Sequence, residues 1–229
     1  MTVGIAGPLA SILSAGLGAA EAFGDDVDST GRPVTPLRAD ELAVLGGCSP
    51  RRLREVSTGR HCARAALAAI GITSVSVGRL ASGAPAWPDG VVGSITHCRG
   101  YRAAAVARVG SVAAIGIDAE PHAALPVGVR STVLRDDESE ELDSGPAAGL
   151  HGDRLLFSAK EAVYKALHLL DARPVRFHEV RVRLGDGVFR AELVLPGDRT
   201  AVPQPALDGS WCVHEGLVVT AAVLRDVPR

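Results

Sequence analysis

The chain contains almost no lysine. Of its 24 basic residues, 22 are arginine, and the only two lysines, Lys160 and Lys165, lie within one short segment. Arginine stays protonated and presents a planar fork of donors, whereas lysine is a compact charge that can exchange a proton. Because arginine is used almost everywhere else, the segment that holds both lysines is the first candidate for chemistry.

Other absences exclude whole classes of protein. The cysteines are scattered, with no CxxC pair, at Cys48, Cys62, Cys98 and Cys212. We therefore expect reduced thiols of a cytoplasmic protein, without disulfides or structural zinc. The net charge of -2 provides no basic field of the kind that dominates nucleic-acid affinity, so nucleic acid is not expected as a partner. The sequence has no GxxxxGK[ST] loop and no GxGxxG after a strand, which disfavours P-loop kinases and Rossmann enzymes.

The first 23 residues are small and apolar, but they contain no Lys or Arg, and several glycines and Pro8 interrupt them. We expect a packed segment of the mature protein here, not a signal peptide or a membrane span. With 229 residues, of which 47% are hydrophobic, the chain is long enough to bury the core of one large domain or two small ones.

Hydrophobic periodicity predicts the order helix, strands, helix, strands. Helices are expected at 51–70 and 153–170, with Gly71 ending the first. A loop with one helical turn at 40–45 covers 24–50, and a polar loop carries the acidic run 136–141. Strands are expected at 75–77, 91–96, 103–108, 111–118, 179–184, 189–195 and 211–223. This pattern predicts an α+β fold of two similar halves, 1–110 and 111–229, each with a mainly antiparallel sheet packed on a helix.

An apolar strand ends in two carboxylates, in the segment Ile115-Gly116-Ile117-Asp118-Ala119-Glu120. Side chains on a strand alternate between faces, so Asp118 and Glu120 should project together. Two hard oxygen donors on one side suit a magnesium ion that keeps several waters and borrows phosphate oxygens from a substrate. Taken alone, the pattern is more typical of an exposed acidic pair at a strand end.

The second motif is FSAKEAVYK at 157–165, on the second predicted helix. Glu161 and Lys165 are four residues apart, so they share a face and can form an ion pair. The ordinary interpretation is a solvated salt bridge worth about 0.3–0.5 kcal/mol. The concentration of both lysines here favours another interpretation: a third carboxylate for a metal site beside a lysine that meets a phosphate, as phosphoryl-type transfer requires.

Cationic candidates also occur in the first half of the chain. His97 ends the segment 93–98, where it can donate a hydrogen bond to a phosphate oxygen, or be structural or simply exposed. Arg52, Arg60 and Arg64 lie on one face of the first long helix, where guanidinium groups can hold an anionic ligand. Arginines on a helix surface are more often solvated than ligating.

Five segments together, in this order, resemble the Sfp-type 4'-phosphopantetheinyl transferases, in particular their actinobacterial branch. They lie at 52–70 (with GRHCARAAL), 85–107 (PAWPDGVVGSITHCRGYRAAAVA), 115–126 (IGIDAEPHAALP), 154–166 (RLLFSAKEAVYKA) and 211–224, and cover more than half of the chain. The joint occurrence of GIDAE and FSxKExxxK is highly specific, far beyond either piece alone.

The resemblance implies a pseudo-twofold pair of α+β halves, with coenzyme A bound as substrate in the cleft between them. Asp118, Glu120 and Glu161 would hold Mg²⁺, or Mn²⁺, against the coenzyme A pyrophosphate. The N-terminal half would bind the 3'-phosphate side of coenzyme A, and the C-terminal half would carry the magnesium and catalytic motifs. The expected contacts with coenzyme A come from Arg52, Arg60, Arg64, Arg79, His97, Lys160 and Lys165.

The implied reaction transfers 4'-phosphopantetheine to a serine of an apo acyl or peptidyl carrier protein and releases adenosine 3',5'-bisphosphate. Lys165 would neutralise or protonate the leaving nucleotide, and Glu161 or a metal-bound water would deprotonate the serine. Close relatives carry a lysine just before the EPxWP-like stretch, where this chain has Ser82. Arg79, three residues earlier, is the candidate substitute.

Two other functions fit some of the same residues. A Mg²⁺-dependent nucleotide or phosphate-ester hydrolase would use the same three carboxylates and ignore carrier proteins. A binding module for coenzyme A or carrier proteins that has lost turnover would be expected to lack one of the carboxylates, and none is missing. No membrane partner is expected, and two halves in one chain make a monomer sufficient.

Overall fold

The structure is a computed structural model of the chain, and it describes residues 3–4, 7–24, 36–142, 145, 147, 149–168, 170, 175–194 and 206–225. The chain divides into two compact units, Met1–Ser111 and Val112–Arg229. Both combine helices with antiparallel sheets, so the predicted α+β class is confirmed. Among the described residues, no helix has the length and apolar character needed to cross a membrane.

The first unit is built on a sheet in the order β1-β2-β6-β5, with every neighbouring pair antiparallel. Its strands are β1 Val3–Gly4, β2 Gly18–Phe23, β5 Val91–Cys98 and β6 Tyr101–Arg108, and a separate short pair is formed by β3 Gly78–Arg79 and β4 Pro85–Ala86. Its helices are α1 Pro8–Ile12, α2 Ala39–Ala43 and α3 Pro50–Ala69.

Helix α3 carries the predicted arginines, and local chemistry sets both of its ends. The Ser49 side chain caps the start by accepting a hydrogen bond from the backbone N–H of Arg52, and Pro50 occupies the first turn. At the other end Gly71 adopts a φ of 80°, and the N–H of Ile72 donates to Leu67 O at 2.9 Å, so Gly71 stops the helix as predicted.

The second unit is built on a five-stranded antiparallel sheet in the order β7-β11-β10-β9-β8. The strands are β7 Ala114–Pro121, β8 Val180–Leu184, β9 Val188–Leu193, β10 Leu207–His214 and β11 Leu217–Leu224. The helices are α4 Arg130–Val133, α5 Asp136–Leu142 and α6 Gly152–Leu167, with a 3₁₀ turn at Phe177–Glu179.

Helix α6 packs its apolar face onto this sheet and lies unusually close to β7. A Cβ placed on Gly116 would stand 1.8 Å from Ala162 O, so only glycine permits the approach. The core around the helix contains buried Leu155, Leu156, Val163 and Trp211. This close contact places one side of α6 against one face of β7.

Several sequence expectations need correction. Residues 75–77 form no strand, because the N–H of Val77 donates to Glu41 Oε1 and not to a neighbouring strand. The acidic run at 136–141 is helical, since Glu138 Oε2 accepts a hydrogen bond from the N–H of Arg135 and caps α5. Segment 211–223 is a hairpin, β10 and β11, that turns at Glu215 and Gly216 with φ of 45° and 77°.

Smaller differences concern element ends and the N-terminal segment. Helix α6 ends at Leu167, and Leu170 beyond it is exposed. The strand expected at 111–118 begins at Ala114 and continues to Pro121. The N-terminal segment, expected to be packed, contains α1 and the mostly buried β2. Parts of the predicted segments, at 1–2, 5–6, 25–35, 169 and 195, lie outside the described residues.

Candidate active site

The two carboxylates of β7 face helix α6. In its register with β11, Asp118 stands opposite Thr220 and Glu120 opposite Val218. Asp118 is buried and receives hydrogen bonds from two α6 side chains, with Ser158 Oγ 2.9 Å from Oδ2 and Lys165 Nζ 2.7 Å from Oδ1. Glu120 is bound by a third, with Arg154 Nη1 2.8 Å from Oε2. Asp118 and Glu120 therefore both contact α6, as expected for side chains that project from the same face of β7.

Four residues of α6 form a stripe along this contact: Arg154, Ser158, Glu161 and Lys165. Their spacing of four, three and four residues keeps them on one helix face. Lys165 also donates to Ile117 O at 3.1 Å, so its ammonium lies beside the middle of β7. Arg154 donates further to Ala123 O and Ala124 O, both at 3.0 Å, and so binds the segment that follows β7.

The carboxylates influence one another electrostatically. Burial raises the pKa of Glu161, the negative charge of Asp118 raises it further, and Lys165 opposes both. Burial also raises the pKa of Glu120, again with Asp118 acting in the same direction and with Arg154 and Lys165 opposing. Close carboxylates that penalise each other's ionisation form a region that binds positive charge. Here Arg154 and Lys165 supply that charge.

The donor set fits a magnesium ion in its chemistry. Mg²⁺ prefers hard oxygen ligands and is usually held by one or two carboxylates together with substrate phosphates. Asp118, Glu120 and Glu161 provide such oxygens, and Asp118 lies within electrostatic reach of each of the other two. Within the part of the chain that the structure describes, no group of three or more His, Cys, Asp or Glu side chains is already gathered as a ligand cluster. The metal role of these three residues stays a prediction.

In the first unit, the structure brings together two of the predicted phosphate-binding residues. Arg52 Nη1 lies 2.9 Å from His97 Nε2, although the two residues are far apart in sequence. A guanidinium only donates, so this nitrogen of His97 accepts. The same nitrogen of Arg52 lies 3.2 Å from Glu55 Oε2 and forms an ion pair with it. The side chains of Arg52 and His97 are both exposed, as a site for a soluble ligand requires.

Three further arginines, Arg60, Arg64 and Arg79, form a cationic cluster with Arg52. The pKa of Arg60 is lowered to about 10, mainly by burial and also by the charges of Arg52, Arg79 and Arg64, against the opposing effect of Glu41. These effects show that Arg52, Arg64 and Arg79 each lie within electrostatic reach of Arg60. Guanidinium groups that lie close together repel one another, and a bound anion relieves this repulsion.

Two members of this cluster also have structural partners. Arg60 donates to Gly78 O at 2.7 Å and so holds β3, which carries Arg79. Arg64 forms an ion pair with the buried carboxylate of Glu41, at 2.5 Å. Arg64 therefore supports the fold of the first unit, and its predicted role in binding coenzyme A rests on the sequence alone.

Lys160 occupies an environment that differs sharply from that of Lys165. Its side chain is buried, and Nζ donates to Glu138 Oε2 at 2.6 Å, Val133 O at 2.9 Å and Phe177 O at 3.1 Å. An ammonium has three hydrogens, and these three acceptors use them all. The structure therefore does not support the cofactor-binding role predicted for Lys160, because its ammonium is hydrogen-bonded inside the second unit.

Reasoning from the sequence missed the partners of the carboxylates. Arg154, Ser158 and Thr220 all contact Asp118 or the residues around it, and none was singled out. The helical spacing of Arg154 and Ser158 relative to Glu161 is the signal that could have identified two of them. Thr220 lies on the strand that pairs with β7, and only the register reveals it.

Comparison with known proteins gives the family of the chain. The model of the 4'-phosphopantetheinyl transferase N-terminal domain matches residues 40–107, and that of the 4'-phosphopantetheinyl transferase superfamily matches residues 114–205. The two matches together cover the helix α3 arginines, His97 and every carboxylate of the candidate site. The chain belongs to the 4'-phosphopantetheinyl transferase family, and it is an enzyme of that class.

Individual relatives are similar to the chain over most of its length. The chain is 43% identical to the 4'-phosphopantetheinyl transferase Npt of Nocardia iowensis over 92% of this chain and 97% of the relative. It is 44% identical to Svp of Streptomyces mobaraensis, over 85% and 81%. It is 37% identical to PptT of Mycobacterium tuberculosis, over 98% and 100%. The resemblance to the actinobacterial branch is confirmed.

Proposed function

We propose that the chain transfers the 4'-phosphopantetheine arm of coenzyme A to a serine of an apo acyl or peptidyl carrier protein, with Mg²⁺ as the required ion. The product is the holo carrier protein, and adenosine 3',5'-bisphosphate is released. The single observation that carries this proposal is the alignment of the α6 stripe with Asp118 and Glu120 of β7. In a chain that belongs to the family, this alignment supports Asp118, Glu120, Glu161 and Lys165 as parts of one site.

In this proposal Asp118, Glu120 and Glu161 hold the magnesium ion, which would supply positive charge to the pyrophosphate of coenzyme A. Glu161 is also the preferred general base. Its carboxyl group lies within electrostatic reach of Asp118 and Lys165, so a proton acceptor stands among the groups assigned to the reaction. It would take the proton of the carrier serine as the serine oxygen forms a bond to the phosphorus next to pantetheine.

The bond that breaks joins that phosphorus to the bridging oxygen of the pyrophosphate. The electron pair stays on this oxygen, which leaves with the nucleotide. Lys165 is partly exposed on a flexible stem, and in this proposal its ammonium turns from Asp118 to neutralise or protonate the leaving group. Such a displacement needs little beyond positioned cations, a base and alignment of the reacting atoms.

Residues of the first unit would bind the anionic 3'-phosphate of coenzyme A. The exposed pair of Arg52 and His97 and the adjacent charge of Arg60 support this assignment. Arg79 belongs to the same cationic cluster, which favours it as the substitute for the lysine that relatives carry near Ser82. The partners would be coenzyme A and carrier proteins in the cytoplasm, with the chain acting as a monomer.

The test is the intact mass of a purified apo acyl carrier protein after incubation with the enzyme, coenzyme A and Mg²⁺. We expect a gain equal to one phosphopantetheine, which EDTA abolishes. Glu161→Gln should slow the reaction on the order of 10²- to 10⁴-fold, the usual contribution of general acid–base catalysis. Glu192→Gln on β9, where the side chain is exposed, is the matched control and should react at the wild-type rate.

Three results would count against the proposal. Transfer that continues in EDTA would remove the metal requirement. Full activity of Glu161→Gln would show that Glu161 is not the general base. Cleavage of coenzyme A without any gain in mass on several carrier proteins would indicate a hydrolase.

A further inference from the structure

Asp118 is held by two donors of different character. Lys165, 2.7 Å from Oδ1, lies on a flexible stem and is partly exposed, and the proposed reaction requires it to turn toward a phosphate. Ser158, 2.9 Å from Oδ2, is fully buried on a short side chain and cannot leave. When Lys165 moves, the hydrogen bond from Ser158 to the carboxylate remains.

Ser158 is itself fixed by Thr220 of β11. The two hydroxyl oxygens lie 2.9 Å apart, and Thr220 Oγ1 is 3.0 Å from Ser158 O. Both side chains are fully buried. A carboxylate only accepts hydrogen bonds, so the single hydroxyl hydrogen of Ser158 is directed at Asp118. Thr220 can then donate to an oxygen of Ser158, and the three residues form a chain of hydrogen bonds from β11 through α6 to β7.

We propose that Ser158, supported by Thr220, is the positioning residue that keeps the Asp118 carboxylate aimed for cation binding once Lys165 has turned to the substrate. This inference rests on the proposed function, because it assumes that Asp118 is a metal ligand. Ser158 acts through Asp118 and touches neither the substrate nor the metal. Groups that orient a metal ligand in this way change metal affinity or activity by about 10- to 100-fold when they are removed.

The alternative is a purely structural role, in which the two hydroxyls satisfy each other in the buried interface between α6 and the sheet. The two roles predict different results. A hydroxyl that only fills the interface affects stability alone. A hydroxyl that orients Asp118 affects the binding of a divalent cation in protein that is fully folded.

The experiment is a Mn²⁺ titration followed by electron paramagnetic resonance, with coenzyme A at a fixed saturating concentration and no carrier protein, so that no turnover occurs. Ser158→Ala should weaken Mn²⁺ binding about 10- to 100-fold. In the transfer assay the Mg²⁺ concentration for half-maximal rate should rise by a similar factor, while kcat at saturating Mg²⁺ stays within a few-fold of wild type. Asp118→Asn is the reference for loss of the ligand itself.

Thr220 provides a second test that does not depend on the folding of Ser158→Ala. Thr220→Val removes the hydroxyl at nearly constant shape and should weaken Mn²⁺ binding, whereas Thr220→Ser retains the hydroxyl and should bind like wild type. Ser57→Ala is the matched control, since Ser57 is equally buried on a helix but lies in the other unit. Its affinity for Mn²⁺ should be that of wild type.

The outcomes separate this inference from the proposed function. Wild-type Mn²⁺ affinity in both Ser158→Ala and Thr220→Val, with Asp118→Asn impaired, would overturn the inference and leave the metal site standing. Failure of the wild-type protein to bind Mn²⁺ would overturn both. Wild-type binding without transfer to any carrier protein would overturn the proposed function, while the titration of the variants still decides the role of Ser158.

Discussion

At the scale of single residues, the two lysines of the chain have different environments although they are only five positions apart. Lys165 is partly exposed beside Asp118, and Lys160 is buried against Glu138. Burial lowers the pKa of Lys160, and the hydrogen bond and charge of Glu138 oppose that shift. Glu138 also accepts hydrogen bonds from the N–H groups of Arg135 and Val182, so the pair joins α5 and β8 to the helix that carries Glu161.

We predict that Lys160→Met destabilises the protein by about 3–5 kcal/mol, because removal of one member of a buried ion pair leaves the other charge uncompensated. The double variant Lys160→Met with Glu138→Leu should recover much of this loss, since no charge is left buried. Urea unfolding of the single and double variants measures both effects. Unchanged stability of Lys160→Met, together with a weaker affinity for coenzyme A, would instead support the cofactor-binding role expected from the sequence.

At the scale of secondary structure, the site depends on how closely α6 approaches β7. The approach occurs at Gly116, where an added Cβ would lie 1.8 Å from Ala162 O and 2.6 Å from Ala166 N. Both are backbone atoms, which cannot rotate away as the end of a side chain can. The same helix carries Arg154, Ser158, Glu161 and Lys165, so a displacement of α6 moves the groups of the site that oppose Asp118 and Glu120.

We predict that Gly116→Ala destabilises the second unit by about 1–3 kcal/mol, the usual cost of overpacking, and weakens Mn²⁺ binding although no ligand is changed. Gly46→Ala is the control, because a Cβ on Gly46 meets nothing within 4 Å and its φ lies outside the left-handed region. Urea unfolding and the Mn²⁺ titration give the two readouts. A Gly116→Ala variant as stable as Gly46→Ala would show that α6 can shift without cost.

At the scale of the whole molecule, the two units carry candidate binding groups of opposite charge. The first unit holds the cationic cluster around Arg52 and Arg60, and the second holds the carboxylates of β7 and α6. Under the proposed function, the cationic cluster of the first unit would bind the 3'-phosphate of coenzyme A. The carboxylates of the second unit would hold the metal ion that serves its pyrophosphate.

We predict that Arg52→Ala raises the Kd for coenzyme A on the order of tenfold or more, as loss of a charge-assisted contact to phosphate does. It should leave the Kd for dephospho-coenzyme A, which lacks the 3'-phosphate, nearly unchanged. Asp118→Asn should instead weaken the Mn²⁺-dependent part of binding for both compounds. Isothermal titration with the two compounds tests this, and an equal effect of Arg52→Ala on both would place Arg52 away from the 3'-phosphate.

Much of the fold was predictable because it depends on local signals. The bounds of α3 follow from Ser49, Pro50 and Gly71, which act within a few residues of the helix ends. The turn between β10 and β11 escaped prediction, since Glu215-Gly216 is a weaker hairpin signal than Asn-Gly or Asp-Gly. The α5 helix escaped because an acidic run has no apolar periodicity, and its start is capped by its own Glu138.

The sequence by itself determined the family of the chain, the α+β class and the segments in which the chemistry lies, because motif spacing and periodicity are local properties. Only the tertiary structure decided which charges meet. Ser158 and Lys165 reach Asp118 across 40 and 47 positions of sequence, and Ser158 reaches Thr220 across 62. Such contacts are set by the packing of α6 on the sheet, which also gave the chain's two lysines opposite environments.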